Sequence, residues 1–278
     1  VNARRLHLRR RKEQAFLSGL IMMTVIALFP FFHILALVFI KGLPQLSLRF
    51  LTRLPAPAGM VGGMGNAVLG TLTMVGLASA ISLPLGIGTG VYMALYATTR
   101  YAAVLRFVAD VLSGVPTILL GLLVYGLMVV TMGSFSGLAG AVALSWIMFP
   151  SVARSSEQMV LLVPVSLREA ALALGATRMQ TVLYFVLPTA ARGLTTAALL
   201  AVARVMGETA PLLFTAFGNA FWQNGLSAPM AALPLQIFIY ATSPYPLWQA
   251  QAWTGALTLL LLIVVIHAVA RWLTRARQ

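Results

Sequence analysis

The chain has 278 residues, 60% of them hydrophobic and only 9% charged, and its mean hydropathy is +0.93. Soluble domains carry roughly 25% charged residues, so this composition is that of an integral membrane protein. The absence of cysteine excludes disulfides, thiol catalysis and Cys-ligated metals, and the net charge of +14, which in a soluble protein would suggest nucleic acid, here follows membrane topology.

Arg4, Arg5, Arg9, Arg10, Arg11 and Lys12 form a basic head, and the positive-inside rule assigns residues 1–15 to the cytoplasm. The apolar stretch 16–40, with Pro30 inside it, has the outline of a signal peptide. It is about as long as a bilayer requires and no A-x-A site follows, so it is expected to remain as the first span. His33 within it has no Cys or carboxylate suitably spaced and is expected to pack rather than to bind metal.

Residues 41–64, rich in Pro and Gly, are expected to form an outer loop, and residues 66–97 a second span. Its centre reads LPLGIGTG, where Gly86 and Gly90 put small residues four apart and allow close helix contact. No P-loop is present, because no lysine follows Lys41. Arg100 and Arg106 mark a short inner turn before a third span, 104–130, that passes through Asp110 and Pro116. An outer turn, 133–137, leads to a fourth span, 138–162, with Pro150, Arg154 and Glu157 in its inner half.

Residues 164–188, PVSLREAALALGATRMQTVLYFVLP, interrupt the apolar runs. Pro164 suits a first helical turn, Gly175 can end that helix in a left-handed conformation, and Thr177 can cap a second short helix. Leu167, Ala170, Ala171 and Leu174 fall on one apolar face against Arg168 and Glu169. Such a surface either meets another protein or is an ordinary inner loop.

A fifth span, 191–217, and a sixth, 252–272, are separated by an aromatic outer loop, 221–250, that can hold a short amphipathic helix. Its Trp222, Tyr240, Tyr245 and Trp248 suit a membrane interface. The six spans place both termini inside, and the outer segments then hold only Lys41, Arg49 and Arg53.

Charge at bilayer depth costs roughly 2.5–3.5 kcal/mol, so each charged residue there needs a partner or a task. Arg204 and Glu208, four apart in the fifth span, are either an ion pair that fixes packing or a guanidinium on the path of an oxyanion. Pro211 frees a carbonyl that Thr209 or water must satisfy. Asp110 is expected to pair with Arg154 or Arg204, and Glu157 with Arg154 near the inner end. No Ser/His/Asp or paired-carboxylate set suggests an enzyme.

Glu169-Ala170-Ala171, Gly175 and Leu187-Pro188 resemble the EAA loop of ABC-importer permeases, with Phe185 where that family has Ile. Residues 110–117, 157–176 and 204–216 resemble the phosphate-specific members, and 229–246 is similar to PstA-type subunits more than to PstC-type ones. The resemblance implies an all-α, polytopic bundle of six transmembrane helices with the type I ABC-importer permease fold. Residues 16–278 would be a single permease domain, with 164–188 as its coupling loop. It implies a bacterial inner-membrane importer of inorganic phosphate, built with a PstC-type second permease, a cytoplasmic ATPase present in two copies and an external phosphate-binding protein. ATP and Mg would bind the ATPase, and this chain would hold no cofactor. Arg204, Glu208, Thr209 and Asp110 would line the pathway; Arg168, Glu169, Ala170, Ala171, Gly175, Leu187 and Pro188 would meet the ATPase. The alternatives are a permease for sulfate, molybdate or phosphonate, or a channel or enzyme acting alone.

Overall fold

Long apolar sequence makes long helices in this chain, and a proline with a glycine just upstream breaks the helical path at Pro116 and at Pro211. The computed structural model describes residues 3–275, with side chains from Lys12 to Trp272. The side chains of the basic head, Arg4 to Arg11, and of Arg275 and Arg277 lie outside the described residues. Helix α1 (Ala3–Gly42) runs through Pro30 as one rod whose apolar side chains are exposed along most of its length. Its far end meets α13 (Pro246–Arg275), where Thr254 Oγ1 donates to the Gly42 carbonyl at 3.1 Å. His33 stacks on Phe29 at 5.8 Å.

A 3-10 turn (Leu43–Gln45) and α2 (Leu48–Thr52), capped by Ser47, occupy the first expected loop. Then come α3 (Gly65–Leu95), α4 (Arg100–Gly114) and α5 (Thr117–Val124). The last continues through a π-helical turn (Tyr125–Val129) into α6 (Val130–Met132). Helix α7 (Gly137–Leu161) leads to α8 (Val165–Ala173), α9 (Arg178–Gln180), a second π-helical turn (Thr181–Val186) and α10 (Leu187–Met206). Short helices α11 (Ala210–Thr215) and α12 (Leu233–Ala241) precede α13.

Among the described residues five helical stretches are long and apolar enough to cross a membrane, and a bent pair makes a sixth. That pair corrects the expected straight third span: α4 and Thr117–Met132 meet at 102°. Pro116 has no N–H to continue the helix and forces Val115 into extended backbone, at φ −74 and ψ 131. The fifth span is corrected too, since it starts earlier, at Arg178, and stops at Met206 rather than reaching residue 217.

The centre of the bundle is α3 against α7. A Cβ at Gly86 would stand 2.7 Å from Val152 Cγ1, and one at Gly90 2.6 Å from Ser156 Cβ, so both expected small residues sit at the closest approach of the helices. Met74, Leu144, Met148 and Val152 fill the space beside them. Gly90→Leu should therefore overpack this seam and cost roughly 1–3 kcal/mol. The unfolding midpoint of the purified permease measures it, and an unchanged midpoint would mean that the seam has room.

The loop expected at the outer surface is exposed over much of its length, but residues 230–235 turn into the interior. Helix starts leave N–H groups without carbonyl partners, and this loop supplies them: Gly137 N donates to Ala228 O at 2.9 Å and Leu138 N to Leu226 O at 2.8 Å. Leu233 N donates to Thr71 Oγ1 at 2.8 Å, and Met230, Leu233 and Leu235 are fully buried. Of the four aromatics expected at an interface, Tyr240 and Trp248 instead stack face to face inside, at 4.6 Å, leaving Trp222 and Tyr245 exposed. Burial pushes the Tyr240 phenol above its ordinary value, with a Gln236 hydrogen bond opposing the shift.

Candidate functional site

Helix α8 ends as its sequence predicts. Gly175 takes φ +87, its N–H donates to Leu172 O at 3.0 Å, and Ala176 N donates to Ala171 O at 3.1 Å, so two orphan carbonyls are satisfied by a left-handed glycine cap. Thr177 and Gln180 then form a reciprocal capping box, at 3.3 and 2.8 Å. The second short helix, however, is a single turn that runs on into α10. Pro188 cannot donate, and its ring would meet the carbonyl four residues back. The chain widens just upstream into the π-helical turn, with Leu187 N reaching Val182 O five residues back. Leu187 and Pro188 therefore begin α10 instead of closing the loop.

The face expected to be uniformly apolar is split. Ala171 is buried and Leu167 packs toward Val160, Val163 and Val186, whereas Ala170 is exposed and Leu174 is 87% exposed. Leu174 is the capping residue beyond the last helical one, so the periodicity no longer applies to it. Val165, Leu172, Leu174 and Met179 project with Glu169 and Arg178, a mixed apolar and charged surface suited to a protein partner. Beside them a cleft of about 370 Å³ lies between Leu95–Tyr96 and α8, and Arg168 and Glu169 line it.

The membrane charges fall into two groups. In the first, Glu157, only 4% exposed, accepts from Arg106 Nε at 2.5 Å and from Arg154 at 2.7 Å, while Arg154 Nε pairs with Asp110 at 3.0 Å. Arg106 also donates to Met93 O and Ala97 O, at 2.6 and 3.1 Å, around the carboxyl end of α3. Asp110 thus joins Arg154, one of its two expected partners. Glu157 is buried beneath both arginines rather than lying at an interface. Arg106, read from sequence only as a turn marker, is the link that was missed; its spacing of four from Asp110 points to a pair that does not form, and its true partner lies 51 residues away on α7.

In the second group the expected stack of Arg204 on Glu208 does not form. Helix α10 stops at Met206 with Gly207 as its cap, and Glu208 and Thr209 lie in the break before α11, where Pro211 occupies the first turn. Pro211 braces the break against α5: a Cβ at Gly121 would stand 2.6 Å from Pro211 Cα. Arg204 is exposed, and among the described residues its side chain has no ion pair or hydrogen bond. Thr189, Arg192, Thr196, Leu200 and Arg204 recur three or four residues apart on the exposed face of α10. Three of the four expected pathway residues therefore meet at this break, and Asp110 belongs to the other group.

Known proteins share this sequence and this arrangement. The family described as binding-protein-dependent transport system inner membrane component matches residues 86–278. The chain belongs to this family. The permease is 45% identical over 235 residues to the phosphate transport system permease protein PstA of Xylella fastidiosa (strain 9a5c), covering 84% of this chain and 82% of that one. It is 40% identical over 272 residues to the protein of the same name from Yersinia pestis, covering 94% and 92%. Among solved structures, a chain of the inward-facing MetNI methionine ABC transporter superposes with a TM-score of 0.64 at 24% identity, over 77% of the permease and 96% of that chain. The permease is thus a multi-pass transporter subunit of the PstA type rather than an enzyme, with the fold of type I ABC-importer permeases. As such it works with the other components of an ABC transporter.

Proposed function

We propose that this permease imports inorganic phosphate across the bacterial inner membrane. The observation that carries the reading is the unpaired, exposed Arg204 at a helix break, in a chain whose relatives are phosphate transport permeases. A guanidinium fork matches two phosphate oxygens at once. Glu208, in the same break, can accept a hydrogen bond from the protonated oxygen of monohydrogen phosphate, which sulfate lacks; sites that bond a substrate hydroxyl reject analogues without it. Thr209 adds a hydroxyl.

A second permease of the PstC type faces the polar stripe of α10 and completes the pathway. An external phosphate-binding protein delivers substrate at the end away from α8. The cytoplasmic ATPase, which binds ATP and Mg, docks on α8 and the residues around it, from Arg168 and Glu169 to Gly175. Both termini lie in the cytoplasm, and residues 16–278 act as one permease domain. Reconstituting the permease with these partners and comparing uptake of phosphate, sulfate, molybdate and a phosphonate tests the substrate. ATP-dependent uptake of another oxyanion in preference to phosphate would overturn it.

Coupling has its own test. No atom lies within 4 Å of a Cβ added at Gly175, so any substitution there acts through its φ of +87 and through bulk on the docking face. Gly175→Ala should cost about 1–2 kcal/mol of local strain and leave uptake largely intact. Gly175→Trp should insert normally and hydrolyse ATP, yet lose roughly tenfold in uptake, as expected for about 1.4 kcal/mol of lost coupling. Wild-type uptake in Gly175→Trp would remove this surface from the mechanism.

A further inference from the structure

Lys41, Arg49 and Arg53 are the only lysines and arginines between Lys12 and Arg100, and no acidic residue occurs between Glu13 and Asp110. They cluster at the end of the bundle opposite α8. Gly65 N donates to Arg53 O at the start of α3, whereas the other end of α3 borders the cleft of α8. All three side chains are exposed, and none has a carboxylate partner among the described residues. Lys41 lies 5.1 Å from the centre of the Trp253 ring, an aromatic of the kind that anchors a helix at a membrane interface. A short loop on this side is where cations are ordinarily scarce, so three without counter-charge need an explanation.

Beside them lies a groove of about 500 Å³ between α2 and α13, lined by Leu46, Leu48, Leu51, Val68, Leu261 and Val265. It extends along α13 from Thr258 to Val265, about 10 Å of helix rise. Its two hydroxyls are already engaged: Ser47 caps Phe50 N at 3.2 Å and Thr258 donates to Thr254 O at 2.8 Å. The groove therefore offers a ligand hydrocarbon contact only. On α2 Leu48 and Leu51 turn to the groove, while Arg49 on the same helix and Arg53, the extended residue just past its end, do not line it.

We propose that this corner seats one anionic glycerophospholipid, with an acyl chain in the groove and its phosphodiester headgroup held by Lys41, Arg49 and Arg53. The apolar walls select a chain, and the uncompensated cations select the charge. Only the two together choose an anionic lipid over both a neutral lipid and a soluble anion.

The test uses the assembled transporter in lipid nanodiscs and a phosphatidylglycerol probe with a photoreactive acyl chain. Label should map to α2 and to residues 261–265 of α13. Unlabelled phosphatidylglycerol should compete with it, and phosphatidylcholine and inorganic phosphate should not. Replacing the three cations together (Lys41→Gln, Arg49→Gln, Arg53→Gln) should reduce label by roughly tenfold or more, because each basic residue adds about a fivefold preference for an anionic surface. Val265→Trp, which fills the groove and keeps the cations, should also remove it. Equal labelling by a phosphatidylcholine probe, or label unchanged in the triple variant, would reduce the corner to ordinary lipid contact. Competition by inorganic phosphate would assign the cations to a free anion, and a groove that stays unlabelled because another subunit covers it would also overturn the proposal.

Discussion

Glu157→Ala should lower the stability of the permease by about 3 kcal/mol, because removing the buried carboxylate leaves Arg106 without an anionic partner while Arg154 keeps Asp110. Glu157 accepts from Arg106 and Arg154, whose side chains are 26% and 37% exposed, so water recovers only a part of the loss. Arg106 would lose its carboxylate while still tied to the Met93 and Ala97 carbonyls, and α4 would keep only the Asp110–Arg154 ion pair to α7. Glu157→Gln keeps the shape and should recover only a part. In Arg106→Gln/Glu157→Gln the penalty should shrink below the sum of the two single changes, since the pair is coupled. Denaturant unfolding of the purified complex gives all three values. Strict additivity would show that the 2.5 Å contact contributes nothing beyond its separate halves.

Arg204→Gln should act in the opposite way, with stability kept and transport lost. The guanidinium has no partner among the described residues, so its removal leaves no buried group there unsatisfied. A hydrogen bond to a charged group contributes about 1.5–3 kcal/mol, which converts to a fall in phosphate uptake of roughly 10- to 150-fold. Arg204→Lys keeps the charge without the planar fork and should fall between wild type and Arg204→Gln. Uptake by reconstituted complexes, paired with an unfolding midpoint, separates the possibilities. A lowered midpoint with near-normal uptake would make Arg204 a packing residue.

Local chemistry made much of this legible before any coordinates. The glycine cap at Gly175 and the capping box at Thr177 depend on residues within a turn or two of one another, and the close approach to α7 is signalled by two small residues, Gly86 and Gly90, one turn apart. Prolines were the harder reading, because Pro30, Pro84 and Pro150 lie inside intact helices while Pro116 and Pro211 mark breaks. Both breaking prolines have a glycine within one turn upstream, Gly114 and Gly207, whereas the other three do not. A lone proline removes one hydrogen bond; adding a residue with little helix preference lets the chain turn away. The Arg106–Glu157 contact was not legible, since its partners are 51 residues apart and only the packing of α4 on α7 joins them. The inward turn of residues 230–233 was hidden for the same reason, as the loop ahead of it supplies acceptors to a helix start far away in sequence.

The π-helical turn ahead of Pro188 has a mechanical consequence. Because the chain widens there instead of breaking, Arg178–Met206 remains one stretch of 29 residues. Arg178 beside the α8 cleft and Arg204 at the helix break are then opposite ends of a single lever about 39 Å long. A tilt of about 5° about its lower end carries the Arg204 end sideways by roughly 3 Å, enough to exchange one hydrogen-bonded partner for another. The same turn that accommodates a proline thus makes a small rotation at one surface a whole contact's displacement at the other.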